Sequence, residues 1–281
     1  MTTPLTLSTV SALRDQVNHW KSQNLRVGLV PTMGALHHGH LSLVKTILKD
    51  VDRVVVSIFV NPTQFGPNED FESYPRTLDT DSAALQTVGA HAIYAPTARE
   101  MYPEGFATTV HVAGLTEDLC GATRPGHFDG VATVVSKLLN QCQPDVAIFG
   151  EKDYQQLQVI KRFVRDLDMP PRIIGGAIIR DDDGLAASSR NTYLSAEERI
   201  KALALPRTLT DLAKRARDGE DVSSLEKQGY KQLLDAGFLA VEYITFCDAE
   251  TLESPAQQGR PLRLLVAARI GTTRLIDNIS V

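Results

Sequence analysis

Cysteine is scarce in this chain and long apolar runs are missing. Cys120, Cys142 and Cys247 stand far apart with no CxxC pair, which disfavours a zinc knuckle and a disulfide framework and leaves reduced thiols as the expectation. No run of about 18 apolar residues occurs, so no membrane-spanning helix is expected. The first ten residues lack a basic segment followed by a long apolar one, the pattern a secretory signal would need. Positive charge is short as well: 29 Lys and Arg against 34 Asp and Glu leave a net charge of −5. That balance disfavours a nucleic-acid partner, and any phosphate site must be a local arrangement in an acidic molecule. Internal repeats and low-complexity segments are also missing. The expectation is a soluble, cytoplasmic protein with neither nucleic acid nor membrane as a partner.

What is present is the material for a sizeable core. Hydrophobic residues make up 43% and charged residues 22% of the 281 residues, a globular rather than disordered composition, and the length suits two domains. Short apolar, largely β-branched runs at residues 26–30, 53–60, 92–95, 146–149 and 173–179 read as buried strands. Segments 131–140 and 155–167 carry apolar residues at helical spacing. Strands separated by such crossovers predict a Rossmann-like, doubly wound parallel α/β sheet. After Asn191 the texture changes. Ser195 reads as an N-cap with Glu197 and Glu198 in the first turn, a long helical pattern runs to about Arg217, and residues 221–236 form another. Strand-like runs at 238–246, 262–268 and 275–280 then predict a smaller C-terminal α+β domain with antiparallel strands. The division falls near residue 180, giving domains 1–180 and 181–281.

Between the first strand-like run and the helix-like run 41–48 lies PTMGALHHGH, residues 31–40. His37 and His40 are three apart, a spacing that puts both rings on one helix face, and a helix N-terminus offers free N–H groups and partial positive charge to an anion. Ordinary core or surface histidines, or a metal-binding pair, are the alternatives. The setting favours the anion: Gly34 and Gly39 let backbone approach a ligand, at the strand-to-helix junction where open α/β sheets bind ligands.

Other segments follow other strands. In Gly150-Glu151-Lys152-Asp153, Lys152 can reach a phosphate or be a solvated loop charge, and Asp153 can cap the next helix. In residues 184–191, Ser188, Ser189 and Arg190 can hold phosphate, or the stretch is a polar interdomain loop in which Ser189 or Asn191 caps a helix. Asn61 and Pro62 end the second run, and Gln64 just beyond is either a solvated turn residue or a cleft residue suited to a small substrate with hydroxyls and a carboxylate. Arg124, in RPGHF, can grip an anion or lie on the surface. A parallel sheet would bring the segments behind its strands to one edge.

Taken together, PTMGALHHGH (31–40), NPTQFGPNEDF (61–71), YPRTL (74–78), RPGHFDG (124–130), GEKDYQQL (150–157), SSRN (188–191) and GTTRLIDN (271–278) resemble the pantothenate synthetase family of the HIGH-motif nucleotidyltransferase superfamily. The resemblance implies ATP-dependent joining of pantoate to β-alanine through a pantoyl-adenylate, with release of AMP and pyrophosphate. It implies that Met33, Gly34, Ala35, Leu36, His37, His38, Gly39 and His40 contact the triphosphate. His37, His40 and Lys152 would be catalytic, His40 as proton donor, while His38 takes no catalytic part. Gly150, Glu151, Lys152, Asp153, Ala187, Ser188, Ser189 and Arg190 would complete the nucleotide site, with Asp153 at the ribose and the Ile179 backbone at adenine. Gln64, Gln156, Asn61 and Arg124 would bind the acid and amine substrates. Ala187 departs from the Met or Leu common before SSR. Mg²⁺ accompanying ATP and a homodimer are further implications, with no metal ligand named in the protein. The 66–68 turn and the Gly184 segment are lid candidates. An adenylyltransferase acting on a phosphate acceptor, a tRNA-charging fragment and a non-catalytic nucleotide-binding regulator are the rival readings.

Overall fold

The computed structural model describes residues 3–66, 71–254 and 259–281. Pro67 and Asn68, in the first lid candidate, lie outside the described residues. The chain begins β1 (Leu5–Leu7), α1 (Val10–Ser22), β2 (Val27–Thr32), α2 (His38–Ile47), β3 (Arg53–Ile58), α3 (Leu78–Thr87) and β4 (Ala92–Tyr94). Two single turns, α4 (Ala98–Met101) and α5 (Cys120–Thr123), lead to α6 (His127–Cys142), β5 (Val146–Gly150), α7 (Tyr154–Asp166) and β6 (Arg172–Gly176). The remainder is α8 (Ala196–Ala202), α9 (Ala204–Arg217), α10 (Val222–Asp235), β7 (Ala240–Asp248), β8 (Leu262–Ile270) and β9 (Thr273–Ser280).

β1 to β6 form one parallel sheet in the order β1-β4-β3-β2-β5-β6. Side chains alternate across it, as strand geometry demands. Val27, Leu29, Val55, Ala147 and Phe149 pack with α1, α6 and α7, whereas Val30, Val54, Val56, Ile93 and Ile148 pack with α2 and α3. Both faces are covered, which is why these strands read as continuous apolar runs rather than alternating ones. The chain winds outward from β2 through β3 to β4, then resumes on the other side with β5 and β6. The reversal between β2 and β5 makes the crevice beyond their carboxyl ends the ligand site expected of such a sheet.

β7, β8 and β9 form an antiparallel sheet with α8, α9 and α10 in its core. Cys247, Leu252 and Leu265 from this part join the core of the parallel sheet, so the two layers pack directly together.

Several boundaries differ from expectation. The helical pattern 196–217 is two helices meeting at Leu203. Pro206 supplies the reason, since it has no N–H for the Ala202 carbonyl and its ring crowds the preceding turn. β6 stops at Gly176, and residues 177–188 instead form an irregular hairpin in which Ala187 N–H donates to Ile179 O at 2.9 Å and Arg180 bridges Ala186. Asp153 stands at the start of α7 without any side-chain cap bond. The cap of the 3₁₀ turn Ser189–Tyr193 is Ser188, whose hydroxyl accepts from Arg190 N–H, and not Ser189 or Asn191.

Candidate active site

α2 begins at His38, three residues before the expected start, because the histidines themselves cap it. His37 Nδ1 accepts Gly39 N–H at 3.1 Å, and His40 Nδ1 accepts His37 N–H at 3.4 Å, a reciprocal capping box. The rings lie 4.1 Å apart between centroids. A ring nitrogen that accepts a backbone N–H carries no proton, so each neutral imidazole holds its proton on Nε2. Burial, reinforced by Lys152, lowers the His37 pKa from 6.5 to about 4. Burial and the neighbouring His37 lower that of His40 to about 3. The turn thus presents two uncharged Nε2–H donors at a helix N-terminus.

The backbone ahead of them is pinned from a distance. Gly34 and Ala35 have φ of +87° and +52°, and the N–H groups of Ala35 and Leu36 donate to the buried Asp81 carboxylate at 3.0 and 2.8 Å. Gly34, Ala35 and Leu36 therefore shape the turn, the Gly34 amide donating to Thr32 Oγ1 at 3.3 Å and the other two serving Asp81. His38 Nε2 lies 3.4 Å from Asp181, with its ring edge-on to that of His37 at 6.0 Å between centroids. Asp81 lies on α3, 45 residues along the chain from Leu36, with no local signal to mark it.

Met33, His37, Gly39 and His40 line a cleft of about 170 Å³. Gly150, Lys152, Asp153 and Gln156, behind β5, form its opposite wall, and Ile179, Ala187, Ser188, Ser189 and Arg190 from the hairpin close a third side. Apolar surface from Pro31, Leu43, Ala177 and Ile178 adjoins Ile179 and Ala187, so one part of the cleft suits a flat base and the other an anion. Lys152, Asp153, Ser188 and Arg190 also border a neighbouring space of about 490 Å³, which Arg124 lines.

The remaining expected residues sit in supporting positions. Asn61 is buried, with its amide nitrogen donating to Gln64 Oε1 and Gly130 O, and its oxygen accepting from Thr63 and Tyr102. Gln64 Nε2 reaches Met33 Sδ at 2.9 Å, which places it just behind the cleft wall. Arg124 donates to His127 Nε2 at 2.9 Å, and His127 Nδ1–H donates to Gln64 O at 2.8 Å. That relay fixes the RPGHF segment against the Gln64 turn. The Glu151 carboxylate faces Arg263 at 3.2 Å. Among the described residues, no group of three or more His, Cys, Asp or Glu is placed to hold a metal ion. No helix among them is long and apolar enough to cross a membrane.

A switch-point crevice lined by uncharged donors, a lysine and a Ser-Ser-Arg turn is the site of an α/β protein suited to holding an anionic ligand. Comparison with known proteins narrows the class. The family model described as pantoate-beta-alanine ligase matches residues 5–280, and the chain belongs to that family. It is 60% identical over 272 residues to the pantothenate synthetase of Paramagnetospirillum magneticum, covering 97% of this chain and 96% of the relative. It is 57% identical over 274 residues to that of Rhodospirillum rubrum, covering 97% of each. The crystal structure of the pantothenate synthetase of Thermus thermophilus superposes with a TM-score of 0.92 at 47% identity, covering 98% of both chains. A Francisella tularensis pantoate-beta-alanine ligase, solved in complex with beta-gamma ATP and beta-alanine, gives 0.81 at 33% identity, covering 99% of this chain and 97% of that one. The resemblance read from the sequence blocks thus holds over nearly the whole chain, and the parallel sheet with a small antiparallel C-terminal one is the architecture expected.

Proposed function

We propose that the chain condenses pantoate with β-alanine at the expense of ATP, forming pantothenate, AMP and pyrophosphate. A carboxylate is a poor electrophile towards an amine, so a pantoate oxygen first attacks the α-phosphorus and the bond to the pyrophosphate oxygen breaks. The β-alanine amine then attacks the acyl carbon of the mixed anhydride, loses a proton, and AMP departs. The observation that carries this reading is the meeting of His37, His40, Lys152 and the Ser188–Arg190 turn around one cleft in a chain of this family.

Charge grows on the phosphate oxygens as the α-phosphorus is attacked, and donors already aimed at them lower the barrier. We assign His37 and His40 that role through their Nε2–H groups. Burial keeps the His40 imidazole neutral in the free site, and its Nε2–H is assigned as a hydrogen-bond donor to the phosphate oxygens. Lys152 and Arg190 supply positive charge, and Ser188 and Ser189 supply hydroxyl donors. Adenine is assigned to the apolar side at Ile179 and Ala187, the ribose to Asp153, and pantoate to Gln156 and the Gln64 side, with Arg124 and Asn61 supporting that end.

Mg²⁺ belongs to this reading as a companion of the nucleotide, held by phosphate oxygens and water, since octahedral Mg²⁺ keeps several waters and the described residues offer no three-ligand set. A cytoplasmic homodimer without nucleic acid or membrane partners, a division near residue 180 and the Gly184 segment as lid complete the proposal. Incubation with ATP, Mg²⁺, pantoate and β-alanine, followed by mass spectrometry, tests it. Equal amounts of pantothenate, AMP and pyrophosphate are expected. ADP, a dinucleotide, or ATP binding without turnover would each reject it in favour of another class.

A further inference from the structure

Asp277 and Asn278 are consecutive on β9, almost fully buried at 3% and 2% exposure, yet they belong to the C-terminal sheet and not to the sheet that carries the cleft. Asn278 spends every polar atom of its side chain. Its Oδ1 accepts Arg263 Nε–H at 2.7 Å, and its Nδ2 donates to Glu151 O at 2.9 Å and Lys152 O at 3.0 Å. The orientation is unambiguous, because the reversed amide would aim its NH₂ group at a guanidinium and an oxygen at two carbonyls. Arg263 is itself held by stacking over the Tyr154 ring at 4.1 Å and by the Glu151 carboxylate. Lys152 therefore leaves a backbone turn fastened by a strand more than a hundred residues later.

Asp277 performs the matching task for the other phosphate-facing segment. Its carboxylate takes both arms of Arg180, at 2.6 and 3.0 Å, and Oδ1 also accepts Asn278 N–H at 2.7 Å. Arg180 stands in the hairpin that delivers Ser188, Ser189 and Arg190, and its guanidinium further donates to Gly184 O at 3.2 Å. A bidentate pair of this kind fixes geometry as well as charge.

The geometry points to Asp277 and Asn278 as positioning residues for the adenylation step: one dipeptide of the C-terminal sheet sets the spacing between Lys152 and the Ser188–Arg190 turn. Neither residue lines the 170 Å³ cleft; Asp277 borders the neighbouring 490 Å³ space, but its carboxylate is taken up by Arg180 and the Asn278 amide by the Glu151 and Lys152 carbonyls, so each acts on the cleft through another. The inference rests on the proposed function, because it assumes that both segments grip the triphosphate.

Asn278→Asp keeps the shape and the acceptor for Arg263 but replaces the two donors by an oxygen facing two carbonyls. Arg180→Lys keeps the charge and loses the fork, on a side chain 31% exposed. The test measures thermal midpoint, KM for each substrate and pantoate-dependent exchange between pyrophosphate and ATP, for both variants, for Lys152→Ala and for Asn278→Asp combined with Lys152→Ala. For Asn278→Asp the ATP KM should rise, and exchange fall, by about tenfold or more, with the β-alanine KM held within about twofold. In the Lys152→Ala background the same change should alter the ATP KM by less than about twofold, because a residue acting through Lys152 has nothing left to position. Arg180→Lys should raise the ATP KM several-fold. Full additivity in the double variant, or an unchanged ATP KM in both single variants, overturns the inference. A merely structural role would lower kcat in step with the folded fraction and leave every KM alone, which also overturns it. If Asn278→Asp yields no folded protein, Arg180→Lys decides alone: a raised ATP KM supports the inference and an unchanged one overturns it. Wild-type protein with neither exchange nor pantothenate formation would refute the proposed function itself, whereas wild-type exchange with indifferent variants refutes only the positioning role.

Discussion

Gly39→Ala separates the placement of the histidine pair from the stability of the fold. A Cβ at residue 39 would lie 2.8 Å from His37 Cε1, 2.9 Å from its Nδ1 and 3.5 Å from Ala187 Cβ. The Ala187 contact is ordinary, but the His37 ring must move by about 0.5 Å or more to reach normal contact distance, against a densely packed surround. That motion removes the Nδ1 acceptor from Gly39 N–H, a cap worth about 1 kcal/mol. Alanine in place of glycine in the first turn of α2 returns up to about 1 kcal/mol of helix propensity. The two nearly cancel, so the thermal midpoint should stay within a few degrees of wild type. Activity should not be spared, since misplacing a transition-state donor by a fraction of an ångström to about 1 Å costs about 10–100-fold in rate. Differential scanning calorimetry and steady-state kcat/KM on the same preparation measure both. Wild-type kcat/KM with an unchanged midpoint would show that the ring's position is irrelevant to the chemistry.

Further outcomes follow from the same geometry. His37→Ala and His40→Ala should each lower the rate by about two orders of magnitude, as for other removed transition-state donors, in a folded protein verified by circular dichroism. Because both histidine pKa values fall from 6.5 to about 4 and about 3 in the folded chain, the unfolded chain takes up protons first as pH drops below 6.5. The stability from the neutral rings is therefore complete above pH 6.5 and lost progressively towards pH 4 and 3. Urea unfolding at about pH 7.5 and about pH 4.5, on either side of the unfolded histidine value, should show a larger loss for wild type than for His40→Ala, and an equal loss would contradict the burial assignment. By the same shifts, the pH–rate profile between about pH 5 and about pH 8 should show no limb that disappears in His40→Ala. Asp81→Asn leaves one of the two N–H groups of Ala35 and Leu36 without its acceptor, so it should lower stability by about 1–3 kcal/mol and raise the ATP KM. Wild-type values for both would sink the assigned role of Asp81.

The parts legible in the sequence are those with local physical signatures. β2, β3 and β5 are buried on both faces, so each reads as a short apolar run, and the glycine-bearing segments behind β2 and β5 marked the crevice. β1 is three residues long with Leu5 exposed, too short for any periodicity to register, and α3 carries its apolar residues weakly enough to escape notice. Spacing placed His37 and His40 together, but their capping bonds come from side chain to backbone and leave no periodic trace. The residues that hold the site in shape were out of reach for a plainer reason. Asp81 acts on Ala35 and Leu36, and Asn278 acts on Glu151 and Lys152, across chain separations that only the folded topology closes. Asn61 illustrates the converse, a residue legible from its motif whose side chain is wholly engaged in fixing Gln64 and its neighbours.

In the proposed reaction pantoate is activated on the α-phosphorus before β-alanine takes part. Isotope exchange between labelled pyrophosphate and ATP, measured with Mg²⁺ and pantoate and no β-alanine, tests it most directly. Exchange should depend on pantoate and drop by about two orders of magnitude in His40→Ala. Absence of exchange from a preparation that still forms pantothenate when β-alanine is added would contradict a freely reversible adenylate, and with it the roles assigned to the cleft.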